Sequence, residues 1–210
     1  RNPIKKIINI PNQINLILEK LKLEFIDTIQ ICNNPSSNKL NMVMLKMILE
    51  KYKKKNIIKN FYLESFEPFS NNLKKLINDD FFEGYIFKFN CLQRGMSKAF
   101  LNTVIDSQKK IISISPLAGG DFLNILNNFD IDFKEQIDEI LKENNLENYN
   151  SLNIAFLKSI KNTKAAIFGT KKIDRITEIK KLIKTTKFLK EESVKKIIDL
   201  QEKYKSVINY

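Results

Sequence analysis

An α/β fold built on a parallel sheet is what this sequence predicts, on three observations. Apolar runs of about five to seven residues, rich in Ile and Phe, recur along the chain. Between them lie longer stretches whose apolar residues fall at three-and-four spacing, the period of a helix with one buried face. The order is strand then helix, repeated, with only five Gly and five Pro to interrupt it across 210 residues. That alternation is the sign of right-handed βαβ units in a doubly wound sheet or a barrel, and the absence of a linker argues for one domain over residues 1–210.

The elements follow in order. A weak strand, IKKIINI (4–10), precedes a helix over NQINLILEKLK (12–22). FIDTIQI (25–31) is the first clear strand, and LNMVMLKMILEKYKK (40–54) the helix after it. NIIKNFYL (56–63) is followed by the short helical stretch NNLKKLIN (71–78), and GYIFKF (84–89) by MSKAFLNTVIDSQ (96–108). KIISIS (110–115) leads into the longest break, about 117–148, which contains the amphipathic piece FKEQIDEILKENN (133–145). YNSLNIAFLKSIK (149–161) comes next, then the strand KAAIF (164–168). Two helices close the chain, DRITEIKKLIKTT (174–186) and EESVKKIIDLQEKYKS (191–206).

Composition narrows the function classes. A net charge of +12 would suit nucleic acid, whose phosphates release counterions to a basic surface. Only three of the 36 basic residues are arginine, however: Arg1, Arg94 and Arg175. Lysine travels here with asparagine and isoleucine, as in an AT-rich coding bias, and runs such as KYKKKN (51–56) read as solvated helix faces rather than a binding stripe. No nucleic-acid partner is expected. Two distant cysteines, Cys32 and Cys91, make no disulfide framework, and a chain without histidine has unusual ligands for zinc, so no metal is expected. No apolar run is long enough to span a membrane, and the start, RNPIKKIINIP, lacks a signal-peptide core. A reducing cytoplasm is the simplest setting. The chain starts at Arg1 rather than methionine and is expected to be a fragment.

Parallel α/β proteins carry their chemistry at the carboxyl ends of the strands. There the chain offers Cys32 with Asn33 and Asn34, Glu64 with Ser65, Asn90, SPLAGG (115–120) and FGTKK (168–172). Small residues in SPLAGG let backbone N–H groups approach an anion, and lysines ahead of a helix start favour phosphate. Each also has a plain structural reading. Free cysteine is commonly buried, so Cys32 reads first as a small buried hydrophobe at a strand end. An inward carboxylate at Glu64 is costly unless a cation or water meets it. Lys171 and Lys172 read equally as solvated lysines.

Taken in order, these motifs resemble the aldo-keto reductase family. The segment GYIFKFNCLQRGMSKAFLNTVIDSQKKIISISPLAGG (84–120) is similar to the family's strand ending in Tyr-Asn, the helix after it, and the strand ending in Ser-Pro-Leu. FIDTIQIC matches its strand Tyr-Ile-Asp-Leu-hydrophobe-Gln-Ile-His, and IIKNFYLESF its Gly-Val-Ser-Asn-Phe strand. AAIFGTKKIDRITEI matches its last strand and cofactor loop, and KFLKEESVKKIIDL (187–200) its final helix. The resemblance implies a partial (β/α)8 TIM-type barrel covering roughly the fourth to eighth βα units, with the N-terminal units missing. It implies an NADPH-dependent oxidoreductase that reduces carbonyl groups of aldehydes, ketones or sugars.

The resemblance also assigns residues. Cys32 stands where the family carries its carbonyl-polarising histidine, and a thiol is a weak donor. The family's catalytic tyrosine, lysine and aspartate precede the matched region, so no catalytic residue carries over. Glu64, Ser65, Ile86 and Ile114 stand where the family holds and stacks the nicotinamide, and all four depart from its pattern. The pyrophosphate and adenosine end keeps more: Ser115, Pro116 and Leu117 match the phosphate loop, and Gly169, Thr170, Lys171 and Lys172 the loop for the 2′-phosphate. Arg175 and Glu178 match adenine-side contacts, although Ile179 replaces the usual asparagine. The expectation is weak, phosphate-led NADP binding by a divergent member inactive alone. A degenerate, non-catalytic binding or interaction module is the alternative, and the open sheet edges of a partial barrel invite oligomers.

Overall fold

The structure, a computed structural model, describes residues 9–33, 42–65, 80–94 and 98–204. Its centre is one five-stranded, all-parallel sheet in sequential order. The strands are β1 (Ile26–Asn33), β2 (Ile58–Ser65), β3 (Gly84–Lys88), β4 (Lys110–Ile114) and β5 (Thr163–Ile167). Helix α1 (Ile10–Leu21) precedes β1, α2 (Met42–Lys54) links β1 to β2, and α3 (Lys98–Asp106) links β3 to β4. After β4 come α4 (Phe122–Leu126), α5 (Ile131–Glu143) and α6 (Tyr149–Ser159). Beyond β5 come α7 (Ile173–Thr185) and α8 (Glu191–Lys203).

Strand register sorts the side chains into two faces, because aligned residues of a parallel pair point the same way. One row runs Ile31, Leu63, Tyr85, Ile111 and Thr163, and its four large side chains are buried. They join Leu45 and Leu49 of α2, and Leu101 and Val104 of α3, in the core between sheet and helices. The next row, Cys32, Glu64, Ile86, Ile112 and Ala165, faces the opposite side, which in a barrel is the interior.

The long connection between β4 and β5 folds because its caps and apolar spacing agree. Asp130 accepts the Phe133 N–H at 2.9 Å to start α5, and Asn148 and Ser151 form a reciprocal capping box that starts α6. Phe133, Ile137 and Ile140 turn one face of α5 inward, where Phe133 stacks on Phe129 and meets the ring of Tyr204 edge-on.

The weak strand over 4–10 is corrected at its end: Ile10 opens α1, since Ile10, Ile14 and Leu18 continue the helical period backward. Residues 4–8 of that strand, and the helix expected over 71–78, lie outside the described residues. Among the described residues, β1 and β5 each pair with one neighbour only, and no ladder joins them. No described helix is long and apolar enough to cross a membrane.

Candidate functional site

The carboxyl ends of the strands gather the chemistry-bearing residues into two groups. The first spans β1 and β2. Cys32 and Glu64 are register partners, and the Cys32 Sγ donates to Glu64 Oε2 at 2.8 Å. Gln30, two residues earlier and so on the same face, donates its side-chain amide to that same oxygen. The buried reading of Cys32 is corrected here: the side chain is exposed, because it lies on the interior face at the edge strand, which no further strand covers among the described residues. Glu64, by contrast, is 0% exposed. Gln30 and Cys32 offset part of the cost of that burial by donating to the carboxylate.

The second group lies beyond β4 and β5. Ser115, Ala118, Gly119 and Gly120 all take positive φ, at 55°, 52°, 69° and 83°. Such backbone costs a non-glycine residue about 1–2 kcal/mol, so something must hold Ser115 there. Its carbonyl accepts from the Ala118 N–H at 3.0 Å and from the Asn90 side-chain amide at 2.9 Å. Asn90 is itself completely buried: its Oδ1 accepts from the N–H groups of Leu92 and Gln93, and its carbonyl accepts from Gln201 of α8. The turn after β3, the loop after β4 and the last helix are thereby joined at one side chain. Pro116 is buried beneath the loop and Leu117 half-buried.

Arg175 reaches this loop from α7. Its Nη1 lies 3.6 Å from where a Cβ on Gly120 would stand. Lys172 occupies the N-cap of α7 with Lys171 before it, both exposed, and Thr170 Oγ1 accepts the Lys172 N–H at 3.1 Å. Space around Gly169 is open. Glu178 is exposed one turn beyond Arg175, while Ile179 is buried. Arg175 therefore meets the loop of Ser115, Pro116 and Leu117 at its far end, Gly120, with Lys171 and Lys172 at the start of the same helix. This surface combines a helix N-terminus, cationic side chains and an open glycine loop, which together suit an anion.

At the positions where the resemblance expects nicotinamide contacts, Ile86 is buried and Ile114 half-buried, and Glu64 accepts from Gln30 and Cys32. The side chain of Ser65 lies outside the described residues. Cys91 is a separate matter, since burial pushes its thiol well up and the Sγ donates to the Leu152 carbonyl at 3.6 Å. The sequence reading did not single out Gln30, and it named Asn90 at a strand end without its role. Gln30 was visible as the residue two before Cys32 on one strand face, whereas Asn90 gave no local sign that it would hold the loop 25 residues later.

No family model matches the sequence, and no curated protein matches it. Solved structures do. The chain is similar to the aldo-keto reductase AKR11C1 from Bacillus halodurans, at 15% identity and TM-score 0.73 in the holo form and 16% and 0.74 in the apo form. The match to the holo form covers 93% of this chain and 68% of that one. A thermostable aldo-keto reductase, Tm1743, in complex with the inhibitor epalrestat, matches at 16% identity and TM-score 0.66. Sequential parallel strands, outer helices and these matches agree: the chain has the fold of part of an aldo-keto reductase (β/α)8 barrel.

Proposed function

We propose that this chain is the nucleotide-docking part of an NADPH-dependent oxidoreductase of the aldo-keto reductase type, and that by itself it transfers no hydride. The observation that carries the reading is the approach of Arg175 to Gly120, which unites the loop after β4 with the start of α7 on one anion-friendly surface. Ser115, Pro116, Leu117, Gly169 and Thr170 shape that surface; Lys171, Lys172 and Arg175 supply its charge. Glu178 borders it. The substrate class that goes with this reading is a small carbonyl compound, in a cytoplasmic setting.

Hydride transfer needs a general acid at the carbonyl oxygen and a nicotinamide held against the carbonyl carbon. The Cys32 thiol donates toward Glu64, and Ile86 offers the carboxamide no partner. This favours the second reading as well, a barrel portion that binds nucleotide without reducing anything.

Titration calorimetry with NADPH tests the site. Lys171→Ala combined with Lys172→Ala removes two cationic phosphate partners and weakens binding about tenfold or more, equivalent to at least about 1.4 kcal/mol, whereas Ile86→Gln changes it less. Absence of binding, or binding indifferent to the double substitution, overturns the nucleotide reading. An NADPH-consumption assay against a panel of aldehydes shows no turnover above background, and Cys32→His alone does not raise it. Turnover that Cys32→Ala abolishes would show that the chain is a working reductase.

A further inference from the structure

We propose that Gln201, on the last helix, is a positioning residue for the loop Ser115–Gly120, so that docking of α8 holds that loop in the shape that receives an anion. What the loop receives rests on the nucleotide reading; how it is held does not. Gln201 is 1% exposed, and its side-chain amide donates to two successive carbonyls of the turn after β3, Asn90 at 2.7 Å and Cys91 at 3.0 Å. Both hydrogens of that amide are thereby aimed at one turn, which fixes where Asn90 stands. Asn90 passes the placement on, since its own amide donates to the Ser115 carbonyl at 2.9 Å and to Gln93 Oε1 at 2.9 Å. Ser115 is the residue that needs holding, because its φ of 55° is left-handed and the Ala118 N–H closes the loop onto the same carbonyl. Helix, turn and loop are thus joined by two side-chain amides in series, across 111 and then 25 residues of sequence.

Two features set Gln201 apart from a residue that only fills the core. Its Oε1 is buried and has no hydrogen-bond partner among the described residues, a cost that the two donations at the turn must outweigh. The neighbouring positions of the same helix face aim at the same part of the chain: Glu202 pairs with Arg94, Asp199 pairs with Lys98, and the Ile198 carbonyl accepts from Arg94 at 3.3 Å. Hydrogen bonds are directional, so a shift of α8 moves the turn and, through Asn90, the loop, where apolar packing alone would let them slide.

The test is amide hydrogen exchange by NMR on the full chain, with NADPH titration alongside. Gln201→Met keeps the length of the side chain and removes both donors. It is expected to speed exchange of the Ala118 and Gly120 amides by about tenfold. It also weakens NADPH binding by about threefold or more. A merely structural role predicts the same loop response from Ile197→Val, which removes a buried methyl from the same helix; the loop amides and NADPH affinity are expected to ignore that change. If Gln201→Met fails to fold by circular dichroism, exchange of the unaltered chain in increasing urea decides: the Ala118 and Gln201 amides open with one common urea dependence, and separate openings reject the proposal. Loop exchange indifferent to Gln201→Met in a folded variant, or raised equally by Ile197→Val, overturns the proposal, as does NADPH binding that Gln201→Met leaves unchanged. Absence of NADPH binding by the unaltered chain overturns the nucleotide reading instead, and the exchange rates then decide the positioning role.

Discussion

Asn90 organises the loops of the candidate site although it reaches no ligand surface itself. Its Oδ1 is the acceptor for two backbone N–H groups, at 3.0 Å from Leu92 and 2.8 Å from Gln93, in a fully buried setting. Asn90→Ala strips both, and a buried donor left without an acceptor costs about 1–3 kcal/mol. Urea unfolding of that variant is expected to show a loss of about 2–4 kcal/mol. NADPH affinity falls with it, because Ser115 loses the amide that helps hold its left-handed backbone. Tyr149 gives a pH-dependent counterpart. Burial first, then its hydrogen bond to Asp138, pushes its hydroxyl up to about 12 from an ordinary value of 10.0. A folded-state value above the unfolded one means that the unfolded chain loses its proton first as pH rises. The stability from this group is therefore complete below about pH 10 and disappears between about pH 10 and pH 12. Denaturation followed across that range should show a decline that Tyr149→Phe makes shallower.

Between strands, Gly84, the first residue of β3, leaves no room for a side chain. A Cβ there would stand 2.3 Å from the Lys110 carbonyl oxygen and 2.7 Å from the Tyr62 ring. The tyrosine ring can shift, but the carbonyl belongs to β4 and is fixed by its ladder, so room comes only from moving backbone. Gly84→Ala is expected to cost about 3 kcal/mol, near the upper end for overpacking, and to loosen β3 against both neighbours. Thermal melts and amide exchange in β2 to β4 check it. At the other end of the chain, α8 is tied to the turn after β3 rather than merely stacked on the core. Gln201 donates to the carbonyls of Asn90 and Cys91, and Arg94 pairs with Glu202 and donates to the Ile198 carbonyl at 3.3 Å. Burial pulls the Arg94 guanidinium down while Glu202 opposes the shift, the pattern of a partly desolvated pair.

For the molecule as a whole, the open sides of the sheet set the behaviour. Leu21, Leu23 and Phe25 are exposed where α1 meets β1, and Ile167, Ile173 and Ile183 are exposed on β5 and α7. Apolar surface thus accompanies the two strands that, among the described residues, pair on one side only, and strand edges with apolar flanks favour association. Sedimentation velocity is expected to show assembly that grows with concentration. Lys or Glu substitution at Phe25 and Ile167 reduces it, and a monodisperse monomer over a wide concentration range would contradict this.

The sequence alone determined the class of fold, because periods of two and 3.6 are local properties of the chain. FIDTIQI and KAAIF have one register with their faces, and DRITEIKKLIKTT exposes its helical stripe without reference to anything distant. The ordered motifs around SPLAGG and FGTKK were equally legible, since loop chemistry of that kind lies within a few residues. What only the tertiary structure decided depends on contacts across strands. That Cys32 is exposed while its partner Glu64 is buried follows from β1 being, among the described residues, the edge strand and β2 an inner one, a difference invisible in either segment. That Asn90 holds Ser115, and Arg175 stands against Gly120, follows from parallel strands delivering their carboxyl ends to one side of the sheet, however far apart they lie in the chain.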